Sequence, residues 1–106
     1  MSKSLLGIAA VALCLTAAPV LAADKGGGMS DDEVEGLFAS TCGFCHQDGG
    51  RVAGKGPQLM GTKRSDAFIV NRIKHGKEGY MPAFGQALTD REIKGIVHYI
   101  RHLKPD

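Results

Sequence analysis

Cys42, Cys45 and His46, in the run Cys42-Gly43-Phe44-Cys45-His46, are reactive side chains at a spacing that suits one flat cofactor. Two thiols three positions apart can add to the two vinyl groups on one edge of a porphyrin. A histidine directly after the second thiol then lies under the ring, with an imidazole nitrogen for the iron. The expectation is one covalently attached haem c, and with it redox chemistry. Two other uses of a Cys-x-x-Cys pair fit less well. A thiol–disulfide motif goes with a βαβ pattern, and no strand-like alternation surrounds these residues. A structural zinc takes four ligands, usually in paired spacings. The chain has three cysteines, and the third, Cys14, lies in a segment expected to be removed.

A haem iron accepts a second axial ligand opposite the histidine. Met81, in Gly79-Tyr80-Met81-Pro82-Ala83-Phe84, is the candidate. Pro82 has no N–H and biases Met81 towards extended backbone, so the side chain projects from a fixed loop. A thioether is a soft, weak ligand that raises the potential. His75 and Met60 are the rivals. His75 ends an expected helix, where the helix dipole already accounts for it, and nothing like Met-Pro surrounds Met60. His98 and His102 stand four apart on one helix face. Two ligands fall short of the usual metal set, so a solvated face is the preferred reading.

These residues sit in a small chain with an export signal. Lys3 gives a positive start, Leu5 to Leu15 an apolar run, and Val20-Leu21-Ala22 a cleavage site. The apolar run is too short to span a bilayer comfortably, and Leu13 before Cys14 does not suit lipid attachment. Removing 22 of the 106 residues leaves 84. A core of that size is marginal alone, and a buried haem would supply apolar volume. The full chain carries +2; without Lys3 it is +1. Two ionised haem propionates would make that about −1, so net charge names no partner. No long basic run with interleaved aromatics argues for nucleic acid.

The elements that position the reactive residues read as helices and loops. Residues 23–30 are a flexible lead containing Gly26-Gly27-Gly28. Ser30 and Glu33 form a capping box, with Met29 and Val34 as a hydrophobic staple. Val34, Leu37, Phe38 and Thr41 give the buried face of a helix that delivers the chain to Cys42. Residues 47–64 are loop, with glycines that let backbone pass close to a flat ligand. A second helix runs from Ser65 as N-cap to His75, with Phe68, Ile69 and Ile73 inward and Gly76 at its end. Thr89 and Glu92 cap a third, with Leu88 and Ile93 as staple and Ile93, Ile96, Val97, Ile100 and Leu103 inward. Lys63, Arg64, Arg72, Lys74 and Lys77 cluster near the middle helix; Arg91, Lys94, Arg101 and Lys104 line the last. They form either solvated faces or a basic collar that steers an acidic partner.

With all these pieces in order, the chain resembles the class I c-type cytochromes, the small soluble bacterial monohaem group. The resemblance spans roughly residues 31–104: an N-terminal helix, Cys42 to His46, Gly56-Pro57-Gln58-Leu59, a middle helix, Tyr80 to Phe84, and Leu88 to Ile93 opening the last helix. It implies an all-α cytochrome c fold, three main helices and loops around one haem. It also implies that Pro57 offers its carbonyl to the second ring nitrogen of His46, fixing tautomer and orientation. It implies that the first and last helices cross, with Gly36 permitting close approach and Phe38 touching Tyr99. The interval from His46 to Met81 is short, so the propionate side should be less covered than in longer members.

The resulting expectation is a leader over 1–22, a lead over 23–30 and a haem domain over 31–106. Cys42 and Cys45 hold the haem, His46 and Met81 ligate its iron, and Pro57 braces His46. The protein is then a periplasmic, monomeric one-electron carrier, not an enzyme. Its partners would be a periplasmic dehydrogenase or quinol-oxidising complex as donor and a terminal oxidase as acceptor, with no membrane span after cleavage. The alternatives are a haem c subunit of a dehydrogenase complex, and an open-site peroxidase or ligand sensor.

Overall fold

A computed structural model describes Gly7, residues 11–13 and residues 28–106. The cleavage site, Cys14 and most of the expected leader and glycine-rich lead lie outside the described residues. Three α-helices follow: α1, Asp31–Thr41; α2, Asp66–His75; and α3, Asp90–Arg101. No strand occurs among the described residues, only an isolated bridge between Lys77 and Met81. No helix among them is long and apolar enough to cross a membrane.

The helix starts are fixed by their caps. The Ser30 hydroxyl accepts from Glu33 N–H while the Glu33 carboxylate accepts from Ser30 N–H; Thr89 and Glu92 repeat this on α3. Ser65 caps α2 through Phe68 N–H. Each cap satisfies N–H groups that the helix itself cannot. The backbone hydrogen bonds lower the pKa of both Glu33 and Glu92.

The third helix packs against both others. Ile93, Ile96, Val97 and Ile100 meet Val34 and Phe38 from α1 and Ile69 and Ile73 from α2. Leu88 and Ile93 are both buried, as a staple requires. Phe38 and Tyr99 touch, ring centroids 4.7 Å apart, where α1 meets α3.

Three expectations need correction. Gly36 makes no close helix contact: a Cβ there would meet nothing within 4 Å. The snug glycine is Gly95 on α3, where a Cβ would lie 3.0 Å from Met29 Sδ and 3.4 Å from Val34 Cγ2. Phe68 is half-buried outside the core, with the guanidinium groups of Arg64 and Arg72 at 4.5 and 5.2 Å from its ring. A cation over a ring face is favourable, and that pairing keeps Phe68 at the rim. The segment 47–64 also contains a 3-10 turn at Asp48–Gly50, with Asp48 and Gly49 at φ 50° and 62°. Tyr99 Oη donates to Gly49 O at 2.8 Å, which ties this turn to α3.

Candidate haem site

The reactive pentapeptide is a tight continuation of α1. Cys42 and Gly43 N–H both donate to Phe38 O, at 2.7 and 2.9 Å. Cys45 and His46 N–H both donate to Cys42 O, at 3.2 and 2.9 Å. The turn so formed admits only glycine at 43 without a shift, since a Cβ there would stand 2.5 Å from Ala39 O. Both thiols are free and half-buried. Burial, and secondarily the neighbouring Cys45, push the Cys42 thiol up to about 11.

His46 is the one buried polar side chain among the described residues, at 9% exposure. Its Nδ1 lies 3.2 Å from Pro57 O. A carbonyl can only accept, so Nδ1 is the donor, and the neutral ring then keeps on Nε2 the lone pair a metal needs. The segment bringing Pro57 there is itself bonded to the motif. Gly56 N–H donates to Cys45 O at 2.8 Å, and Gly54 N–H donates to Gly56 O at 2.9 Å. Gly56 is pressed on the imidazole: a Cβ would stand 2.6 Å from Cε1 and 2.8 Å from Nδ1. The flat surface that this glycine accommodates is the histidine ring.

Met81 is half-buried and packs on the core. Its N–H and C=O exchange hydrogen bonds with Lys77, both at 2.8 Å. The loop then runs back along α2: Phe84 N–H donates to Ile73 O at 2.8 Å and Gly85 N–H to Lys74 O at 3.1 Å. Lys74 Nζ also reaches Asp90 Oδ1 at 3.0 Å, at the start of α3.

The other histidines are engaged elsewhere. His75 is exposed, its Nδ1 3.1 Å from Asn71 O. His98 and His102 stack at 4.0 Å, both exposed, with His102 Nδ1 2.8 Å from His98 O. Many of the basic residues are internal braces. Arg101 binds Asp66 at 2.8 Å and Thr62 O at 3.0 Å, and also reaches Arg64 O. Arg91 donates to Gly28 O at 2.9 Å.

Two further cation–aromatic pairs are not legible as such in the sequence. Lys55 Nζ sits 3.8 Å from the Phe44 ring centroid, and Lys77 Nζ 4.9 Å from that of Tyr80. Phe44 and Tyr80 are 78% and 79% exposed, and each adjoins a reactive residue in the chain. The spacing of Lys77 and Tyr80 around Gly79 held a signal for a local pair. Lys55 reaches Phe44 across a glycine loop whose path no periodicity encodes.

The donor set fits a covalent haem: two free thiols, an imidazole with Nε2 available, and a thioether on a tethered loop. The family described as "Cytochrome C oxidase, cbb3-type, subunit III" matches residues 27–100. Cytochrome c6 of Thermosynechococcus vestitus is 31% identical over 94% of this chain and 91% of its own. The chain is a small class I c-type cytochrome. The solved cytochrome c6 of the diatom Phaeodactylum tricornutum matches this cytochrome at 28% identity and a TM-score of 0.53, over 65% of this chain and 87% of that one. The cbb3-type cytochrome c oxidase subunit FixP of Azorhizobium caulinodans is 34% identical over 63% of this chain, but only 25% of its own length. This cytochrome carries one covalent haem c and is an electron carrier working with redox partners, not an enzyme.

Proposed function

We propose that Cys42 and Cys45 hold the haem through thioether bonds and that His46 and Met81 are its axial ligands. Bound haem c supplies an iron that cycles between Fe(III) and Fe(II). The chain's own work is to orient and tune. The bond from His46 Nδ1 to Pro57 O is the observation that carries this reading. It fixes the tautomer and the ring orientation together, and a hydrogen-bond acceptor there raises the basicity of Nε2. The buried Phe38 ring stands beside the imidazole, centroids 6.3 Å apart. Met81 supplies a soft ligand, so neither position is left for a substrate.

The protein works after export, in the periplasm, following cleavage behind Ala22. Its donor is a dehydrogenase or quinol-oxidising complex and its acceptor a terminal oxidase. Phe44 and Tyr80, exposed under Lys55 and Lys77, give apolar contact with a positive rim for an acidic partner. The similarity to FixP, named as a subunit of an oxidase, favours a second reading in which this haem domain serves one complex permanently. Size-exclusion of a native extract separates the two, since a dedicated subunit elutes with its complex.

Mass spectrometry of the mature protein tests the core reading. It should show residues 23–106 plus one haem that survives denaturation. The oxidised protein should show the far-red thioether–iron charge-transfer band, and Met81→Ala should abolish it and lower the potential. A mass equal to the bare polypeptide, after expression with haem-attachment machinery, ends the reading. Survival of the band in Met81→Ala removes Met81 alone.

A further inference from the structure

Helix α2 ends at Gly76, with φ 68° and ψ −164°. A Cβ on this residue would collide with Met81 O and stand 2.7 Å from both the carbonyl carbon and the oxygen of Pro82. All of these are backbone atoms, so no rotamer change relieves the contact. Gly85 marks the other end of the same seam, where a Cβ would lie 2.9 Å from Lys74 O, the atom its own N–H bonds. Between them the chain is laid along the last turn of α2 by the Lys77–Met81 bridge and by Phe84 N–H on Ile73 O.

We propose that Gly76 is a positioning residue for Met81. The side chain it lacks is the space in which the Met81–Pro82 backbone docks on α2, so residue 76 sets how firmly the thioether is held. This rests on the reading of Met81 as an axial ligand. The loop then has a docked and an undocked state, and an external ligand competes only with the docked one. Its apparent affinity scales with the undocked fraction.

Gly79 separates close approach from backbone strain. It too has positive φ, 77°, yet nothing lies within 4 Å of a Cβ there. Alanine at 79 strains the turn but presses on nothing; alanine at 76 does both.

The test uses holoprotein of wild type, Gly76→Ala, Gly79→Ala, Gly85→Ala and Met81→Ala. Imidazole binding to the oxidised form at pH 8, the far-red band and helical circular dichroism are compared. Gly76→Ala should bind imidazole about tenfold more tightly than wild type or better, with a weakened band and unchanged helicity. Gly79→Ala should shift less, and Gly85→Ala should shift in the same direction as Gly76→Ala. If Gly76→Ala yields no holoprotein, Gly85→Ala against Gly79→Ala carries the same contrast. Equal shifts for 76 and 79 would mean that turn strain alone acts, and would overturn the proposal. So would a native band and affinity in Gly76→Ala while Met81→Ala loses its band. A band that survives Met81→Ala removes the ligand reading and this inference with it.

Discussion

The His46 side and the Met81 side of the site are held by different means. His46 is buried, bonded through Nδ1 to Pro57, and pressed by Gly56, which is itself bonded to Cys45. Every one of those contacts lies within the segment 45–57. Met81 is half-buried, and its loop is held by backbone bonds to Lys77, Ile73 and Lys74, the last two belonging to α2. One side chain is fixed by its own ring; the other is fixed by the docking of a loop. The first arrangement is rigid and local, and the second can open while the helices stay folded.

Disturbing the rigid side should do the most damage. Gly56→Ala places a methyl 2.6 Å from a buried ring carbon, and overpacking of this kind costs about 1–3 kcal/mol or more. In a domain of this size each kcal/mol is worth roughly 4–8 °C. Thermal denaturation of the holoprotein should therefore drop by roughly ten degrees or more. A wild-type melting temperature would show that the ring has room, and would erase the contrast between the two sides.

On the Met81 side the expected effect is a separation of transitions. With rising denaturant, the far-red band should vanish before the helical signal and before His46 is displaced. Coincident loss of all three would make the two sides equally rigid.

Tyr99→Phe tests the tie between the His46 segment and α3. It removes the donor to Gly49 O, a part-buried bond of 2.8 Å, and leaves the ring on Phe38. The loss should be about 1 kcal/mol, with the far-red band and potential unchanged. A changed band would extend the rigid side out to α3.

How much of this was legible in the sequence follows from the range of the forces. Both capping boxes, the Ser65 cap and the inward faces of α1 and α3 were readable, because caps and amphipathic faces are written in residues three or four apart. Cys42 to His46 was readable for the same reason. Pro57 came from resemblance, and its bond to His46 is present at the expected atom. The close approach at Gly36 is an implication of the resemblance that the structure moves to Gly95; periodicity marks the inward face of a helix but not the point on it where two helices come closest. A ring near the helix face reads as core, which is why the pattern predicts Phe68 inward; two arginines, Arg64 and Arg72, hold it at the rim instead. The docking role of Gly76 was invisible for another reason. A helix-ending glycine already has a sufficient local explanation, and only the path of residues 81–85 shows the second one.

The smallest expected effect concerns the pair Lys74–Asp90, which links the end of α2 to the start of α3 beside the Met81 loop. A hydrogen bond and then the charge of the Lys74 ammonium hold the Asp90 carboxyl below its ordinary value of 3.8. A carboxyl with a lowered folded pKa stabilises above its unfolded value, and that contribution is lost as pH falls through the folded one. The pair should therefore support loop docking at pH 5–7 and cease to do so somewhat below pH 3.8. Both groups are substantially exposed, so the effect is small and salt-sensitive. Asp90→Asn removes the pair together with a charge at the α3 N-terminus, where the helix dipole favours it. Lys74→Gln removes the pair together with one of the cations in the last turn of α2, which leaves the α3 N-terminus its charge. The reading is the temperature at which the far-red band disappears. Lys74→Gln should lower it slightly at pH 6 in dilute buffer, and the deficit should shrink with added salt and vanish below the Asp90 titration. Asp90→Asn should lower both the band-loss temperature and the helical transition. If Lys74→Gln instead shifts the helical transition as much as the band, the pair braces the whole bundle, and the Met81 side is no more detachable than the His46 side.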